Sequence, residues 1–197
     1  ESQLDSHLLP GLQPLGVPKE LKGTTFPFDY NDLESLEKLI RKHDIGIIKM
    51  EVSRSVRPDK NYLKSVRKLA SQHNIVLIFD ECTSGFRETF GGLHKKYAVE
   101  PDLMMLGKTL GNGYAITAVL GKCEIMKAAE NTFISSTFWT ERIGPTAALK
   151  TLEVMERLKS WEKISKIGLK ISKRLVNVAK KYEIKLDLSG LPALISF

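Results

Sequence analysis

IVLIFDECTSGFRETFGGLHKKYAVEPDLMMLGKTLGNG, residues 75–113, contains two apolar runs, and each ends in an ionisable residue. Residues 75–79 form an unbroken, β-branched-rich run with polar neighbours, the pattern of a strand covered on both faces, and the run ends at Asp80 and Glu81. Residues 103–106 form a second run, which ends at Gly107 and Lys108. Ligands of an open parallel sheet sit at the carboxyl ends of its strands, so this pattern directs an acid and an amine into one cleft.

Burying either charge alone is costly, so a carboxylate and an ammonium at the ends of apolar strands need a partner or a ligand. Lysine suits covalent chemistry there. Its amine is a nucleophile only when deprotonated, and burial near other cationic groups lowers its pKa from roughly 10.4 toward neutrality. Taken singly, Asp80 also suits a turn or a helix cap, and Lys108 a solvated loop. Gly107, Gly111 and Gly113 around Lys108 leave room for a ligand close to the backbone, which favours the cleft. The same stretch carries two features of a phosphate-hydrolysing ATPase, the apolar strand with its acidic pair and GKT at residues 107–109. A phosphate loop requires glycine where Asp102 stands, and a carboxylate there repels phosphate.

FDECTSGFR at residues 79–87, PDLMMLGKTLGNG at residues 101–113 and GVPKELKGTTFPFDYNDLESL at residues 16–36 together resemble the class III pyridoxal-phosphate-dependent aminotransferases, in particular the glutamate-1-semialdehyde aminomutase-like branch. The likeness runs over nearly the whole chain. It implies a fold-type-I α/β architecture: a mostly parallel mixed sheet with helices on both faces, residues 1–158 belonging to the large cofactor-binding domain and residues 159–197 opening a small C-terminal domain. The implied reaction moves an amino group between a small-molecule donor and an aldehyde or ketone, and the aminomutase variant moves it within one molecule. A segment that only folds or dimerises is the non-catalytic alternative.

The resemblance also assigns roles. Asp80 pairs with the ring nitrogen of pyridoxal phosphate, which keeps the ring electron-accepting. Lys108 forms the Schiff base with the cofactor and then shuttles the proton. Cys82 lies against a ring face in place of the family's usual aliphatic residue, and plain core packing is its other reading. Thr83 approaches the phenolic oxygen. Within FISSTFWTER, residues 133–142, Thr137 binds the phosphate of a partner chain's cofactor, with Ser136 the neighbouring candidate, so a homodimer with a shared active site is implied. The family's phosphate-gripping loop and ring-stacking aromatic residue have no counterpart in the sequence.

The remaining sequence narrows the setting. The chain has 197 residues, enough for one substantial core, with 42% hydrophobic and 27% charged residues. No stretch is long and apolar enough for a membrane helix, and no secretory signal is visible. Two cysteines, Cys82 and Cys123, argue for a reducing cytoplasmic setting rather than a disulfide framework. His7, His43, His73 and His94 are scattered, so no metal site is expected. The net charge of +7 invites a nucleic-acid partner, but the lysines of residues 150–181 alternate with acids and apolar residues as on solvated helix faces, so none is expected.

The opening residues 2–18 read as a loop, and the absence of an initial methionine points to a piece of a longer chain. Helices are expected at residues 33–42, 59–72, 123–129, 143–158 and from 160 onward, the last with Ser160 as cap and a wide apolar face; strands are expected at residues 45–52, 75–79, 103–106, 115–120 (a buried one), 184–188 and 193–197. Glu51 ends the first of these strands, where the resembled family usually continues with proline rather than Val52. Arg54 and Arg57 follow in a loop to which no role is assigned. The strand–helix–strand order at residues 45–79 implies a right-handed parallel crossover.

Overall fold

A computed structural model of the chain describes residues 16, 18–21, 23–53, 55–135, 137, 138 and 140–197. The expected opening loop falls largely outside these residues, as do Arg54 and Ser136. The chain divides into two compact units, Glu1–Ile45 and Gly46–Phe197. In the first, α1 (Leu33–Lys42) begins where Asp32 accepts a hydrogen bond from the Ser35 backbone N–H at 3.0 Å, and Phe26 stacks on His43 with ring centres 3.9 Å apart.

The second unit is built on a four-stranded sheet in the order β1 (Ile47–Glu51), β2 (Val76–Asp80), β3 (Leu103–Leu106) and β4 (Ala118–Gly121). The first two pairings are parallel and the third is antiparallel, which makes the sheet mixed and mostly parallel. Helix α2 (Tyr62–Gln72) carries the chain from β1 to β2, and its buried residues Leu63, Val66, Leu69 and Ala70 recur at helical spacing. Strand β2 alternates, with Leu77 and Phe79 fully buried while Ile78 and Asp80 on the other face remain partly accessible. Helix α4 (Ile143–Leu158) packs Ala148, Leu152 and Met155 against Met104, Leu106 and Ala118. Phe79, Met104 and Leu120 share register across three strands, so this packing lies on the buried face. A short helix, α3 (Cys123–Met126), follows β4.

Asp102 ties these elements together. Its carboxylate accepts the Leu77 backbone N–H and the Arg67 guanidinium, each at 2.7 Å, and pairs with Lys122 at 2.7 Å. The residue that fails the requirement of a phosphate loop is therefore the joint between α2, β2 and the exit of β4. Burial pushes its carboxyl up, yet these donors outweigh burial and hold it down at about 2.

Four expectations need correction. The strand expected at residues 115–120 starts later and is exposed rather than buried, with Val119 at 50% and Leu120 at 48%, because among the described residues β4 lies at an edge of the sheet with β3 as its one strand neighbour. Residues 184–188 alternate like a strand but form none, having no strand beside them among the described residues; the hairpin is β5 (Ser189–Leu191) against β6 (Leu194–Ser196). Ser160 does not cap α5 (Ser160–Lys181): Lys159 does, in a left-handed conformation with φ 48°, and the Ser160 hydroxyl is buried without a partner among the described residues. The wide apolar face expected on α5 is likewise mostly accessible, with Ile167 at 56% and Leu169 at 58%, while Gly168 and Ala179 are buried.

Candidate active site

The parallel pairing of β2 and β3 sets Asp80 beside Met105. Three residues beyond Met105 stands Lys108, and three residues beyond Asp80 stands Thr83. The two segments meet there: the Lys108 ammonium donates to the Thr83 hydroxyl at 3.0 Å. The segments carrying the acid and the amine therefore leave adjacent strand ends and meet at Thr83. Lys108 has φ 43°, a left-handed conformation costly for a side chain with a Cβ, and backbone strain of this kind concentrates at functional positions.

Asp80 is more heavily engaged than the sequence alone implies. One oxygen accepts the Cys82 backbone N–H at 3.3 Å, and the other pairs with the Lys49 ammonium at 2.9 Å. Burial pushes the carboxyl up, but the bond to Lys49 and those to Cys82 prevail and hold it below the ordinary carboxylate range. The Cys82 thiol is pushed up, first by burial and then by the negative charge of Asp80. Lys49 was not singled out from the sequence, although a signal exists. It is the one charged residue inside the run IGIIKM at residues 45–50, and it is spaced two residues from Glu51, which is aligned with Asp80.

Behind the cleft, Glu81 is fully buried and accepts bonds from the Ser84 hydroxyl at 3.0 Å, the His94 backbone N–H at 3.2 Å, the Leu93 backbone N–H and the His94 ring at 2.5 Å. These bonds pin the turn that presents Cys82 and Thr83. Arg57 does not stand open toward a substrate carboxylate. It forks onto Glu88, with Nη1 donating at 3.0 Å, and Lys96 adds a second cation to Glu88 at 2.7 Å. Thr137 lies on an exposed turn, and among the described residues no hydrogen bond joins it to Asp80, Cys82, Thr83 or Lys108.

The chain is similar to known proteins over most of its length. The class-III aminotransferase family matches residues 33–197. A 3-aminobutyryl-CoA aminotransferase of Cloacimonas acidaminovorans is 38% identical over 186 residues, covering 90% of this chain and 45% of that protein. A glutamate-1-semialdehyde 2,1-aminomutase of Sulfolobus acidocaldarius is 39% identical over 173 residues, covering 84% of this chain and 41% of that protein. The FumI protein of Sphingopyxis sp. MTA144, whose structure is the PLP internal aldimine form, aligns with a TM-score of 0.81 at 24% identity over 85% of this chain and 42% of that one, a likeness of fold. The chain thus spans less than half the length of the curated relatives it matches. With the family matched across most of its residues and the same α/β fold in a solved neighbour, the chain belongs to the class-III aminotransferases.

Proposed function

We propose that this chain supplies the cofactor-bearing centre of a pyridoxal-phosphate-dependent aminotransferase that moves an amino group between a small-molecule donor and an aldehyde or ketone. One observation carries the reading: Asp80 and Lys108 leave adjacent parallel strands, and their segments are joined by the Lys108–Thr83 hydrogen bond.

The residues present fit the cofactor. The donor set combines a carboxylate, an amine and a hydroxyl, and the space is kept open by Gly107, where a Cβ would come within 3.3 Å of both Cys82 Sγ and Thr117 Cγ2. When bound, pyridoxal phosphate supplies an electron-withdrawing ring that stabilises negative charge on the amino-bearing carbon. Asp80, ionised through its donors, would accept a hydrogen bond from the protonated ring nitrogen and so keep that ring cationic. Lys108 would hold the cofactor through its amine and, with that amine free, would move the proton at the substrate's amino-bearing carbon. Thr83 orients the Lys108 amine, and Cys82 would lie against one face of the ring. Thr137 is assigned to the phosphate of a partner chain's cofactor. Tyr114, Phe133, Phe138, Ile143 and Leu149 are all more than half exposed, an apolar surface that supports a homodimer sharing its sites.

Residues 1–158 are assigned to the large domain and residues 159–197 to the start of the small one; the left-handed Lys159 that breaks α4 from α5 supports that division. The unpaired Cys82 and Cys123 support a reducing, cytoplasmic setting, and no helix among the described residues is long and apolar enough to cross a membrane. The 39% identity to a glutamate-1-semialdehyde 2,1-aminomutase favours intramolecular amino transfer as the second reading. Titrating the full chain with pyridoxal phosphate tests the assignment. A visible absorption band that disappears in Lys108→Ala and weakens in Asp80→Ala is the expected result; a band indifferent to Lys108 refutes it.

A further inference from the structure

Lys49 and Asp80 project from the same face of neighbouring strands. Glu51 is aligned with Asp80 in the β1–β2 register, so Lys49, two residues earlier, reaches Asp80 diagonally and places its ammonium 2.9 Å from Oδ2. The other charged or ionisable groups around this carboxylate are Glu51 beside it in register, the Cys82 thiol hydrogen-bonded to it, and Lys108 on the next strand's exit. A carboxylate has about four lone-pair positions, so Asp80 can bind Lys49, the Cys82 donors and one further N–H at once. Lys49 therefore does not block a ring nitrogen. It does place a fixed positive charge beside the group meant to hold a second positive charge.

On the reading of Asp80 as the partner of the ring nitrogen, we infer that Lys49 is a third charged member of the cofactor cleft: its ammonium shares Asp80 with the ring nitrogen and weakens the grip of Asp80 on the proton carried there. The sign follows from Coulomb's law. A cation near the pyridinium repels it and draws on the same carboxylate, so the neutral ring gains relative to the protonated one. Lys49 is thus a positioning residue that sets how electron-withdrawing the bound ring is, and it keeps the carboxylate neutralised before the cofactor arrives.

The test uses the full chain with Lys49→Met, which keeps the stem and removes the charge, Lys49→Gln as a second charge-free variant, and Lys49→Arg, which keeps the charge. Circular dichroism establishes folding, the quenching of tryptophan fluorescence gives the Kd for pyridoxal phosphate, and the nitrogen-15 shift of ring-labelled cofactor reports its protonation across pH. The charge-free variants are expected to bind about fivefold more tightly, the scale of one partly screened charge pair, and to keep the ring nitrogen protonated to higher pH, while Lys49→Arg follows the wild type. An unchanged Kd and nitrogen-15 titration in the charge-free variants overturns the inference, as does an equal change in Lys49→Arg or loss of folding in both charge-free variants. A wild-type chain whose cofactor binding ignores Lys108 overturns instead the underlying assignment of the cleft, a result that the Lys108→Ala control separates.

Discussion

Asp80 and Lys108 are legible from sequence because each closes a short apolar run, and a buried parallel strand exposes its chemistry only at the carboxyl end. Lys49 is not, because a run such as IGIIKMEV reads as uniformly buried until β1 is paired and its two faces separate: Ile48 and Met50 are buried while Ile47 and Lys49 are exposed. Glu81 was visible as half of an acidic pair, but its isolation from Asp80 was not. Adjacent residues of an extended segment point to opposite sides, so Asp80 faces the cleft while Glu81 is fully buried beneath four donors. Removing Glu81 leaves those donors unsatisfied, so Glu81→Ala is expected to lower stability by about 3 kcal/mol, measured by urea unfolding. A loss below about 1 kcal/mol would mean that the turn bearing Cys82 and Thr83 holds without it.

Among the elements, the helices and the strands β1, β2, β3 and β6 were foreseeable from periodicity and from caps such as Asp32, whereas the exposure of β4 and the place of β5 were not. Burial of a strand depends on what lies beyond it, which the composition of residues 115–120 does not record. The hairpin is fixed by a contact remote in sequence. Its turn presses the Pro192 carbonyl against α5, where a Cβ on Gly168 would collide with that oxygen. Gly168→Ala is therefore expected to displace the hairpin and lower the thermal midpoint by several degrees, with hydrogen exchange rising in β5 and β6; unchanged exchange there would show that the hairpin and α5 do not depend on one another. Asp102 makes a second prediction at this scale. Its folded pKa of about 2 lies below the ordinary value of 3.8, so its contribution is complete above about pH 4 and is lost as pH falls toward 2. Asp102→Asn should destabilise at neutral pH by about 3 kcal/mol and make the unfolding free energy less sensitive to pH between about 4 and 2; an unchanged slope there would assign the acid sensitivity to other carboxylates.

For the molecule as a whole, the parallel crossover at residues 45–79 follows from the order of apolar runs and the mixed, mostly parallel sheet is what the family resemblance implies; the family match and fold neighbour agree with that architecture. The apolar residues that remain exposed between Tyr114 and Leu149 make the homodimer proposal concrete. Leu149 is 71% exposed on α4, and Leu149→Asp places a charge on that surface. Sedimentation velocity is expected to show the variant shifted toward monomer with its circular dichroism intact, and an undisturbed dimer would move the interface elsewhere. The central claim is that the two strand ends serve one cofactor, anchored at one lysine. Borohydride reduction of the full chain with pyridoxal phosphate, followed by peptide mass mapping, tests it most directly: the phosphopyridoxyl group is predicted on Lys108, and its recovery on Lys49 or another lysine, or on none, would contradict the account.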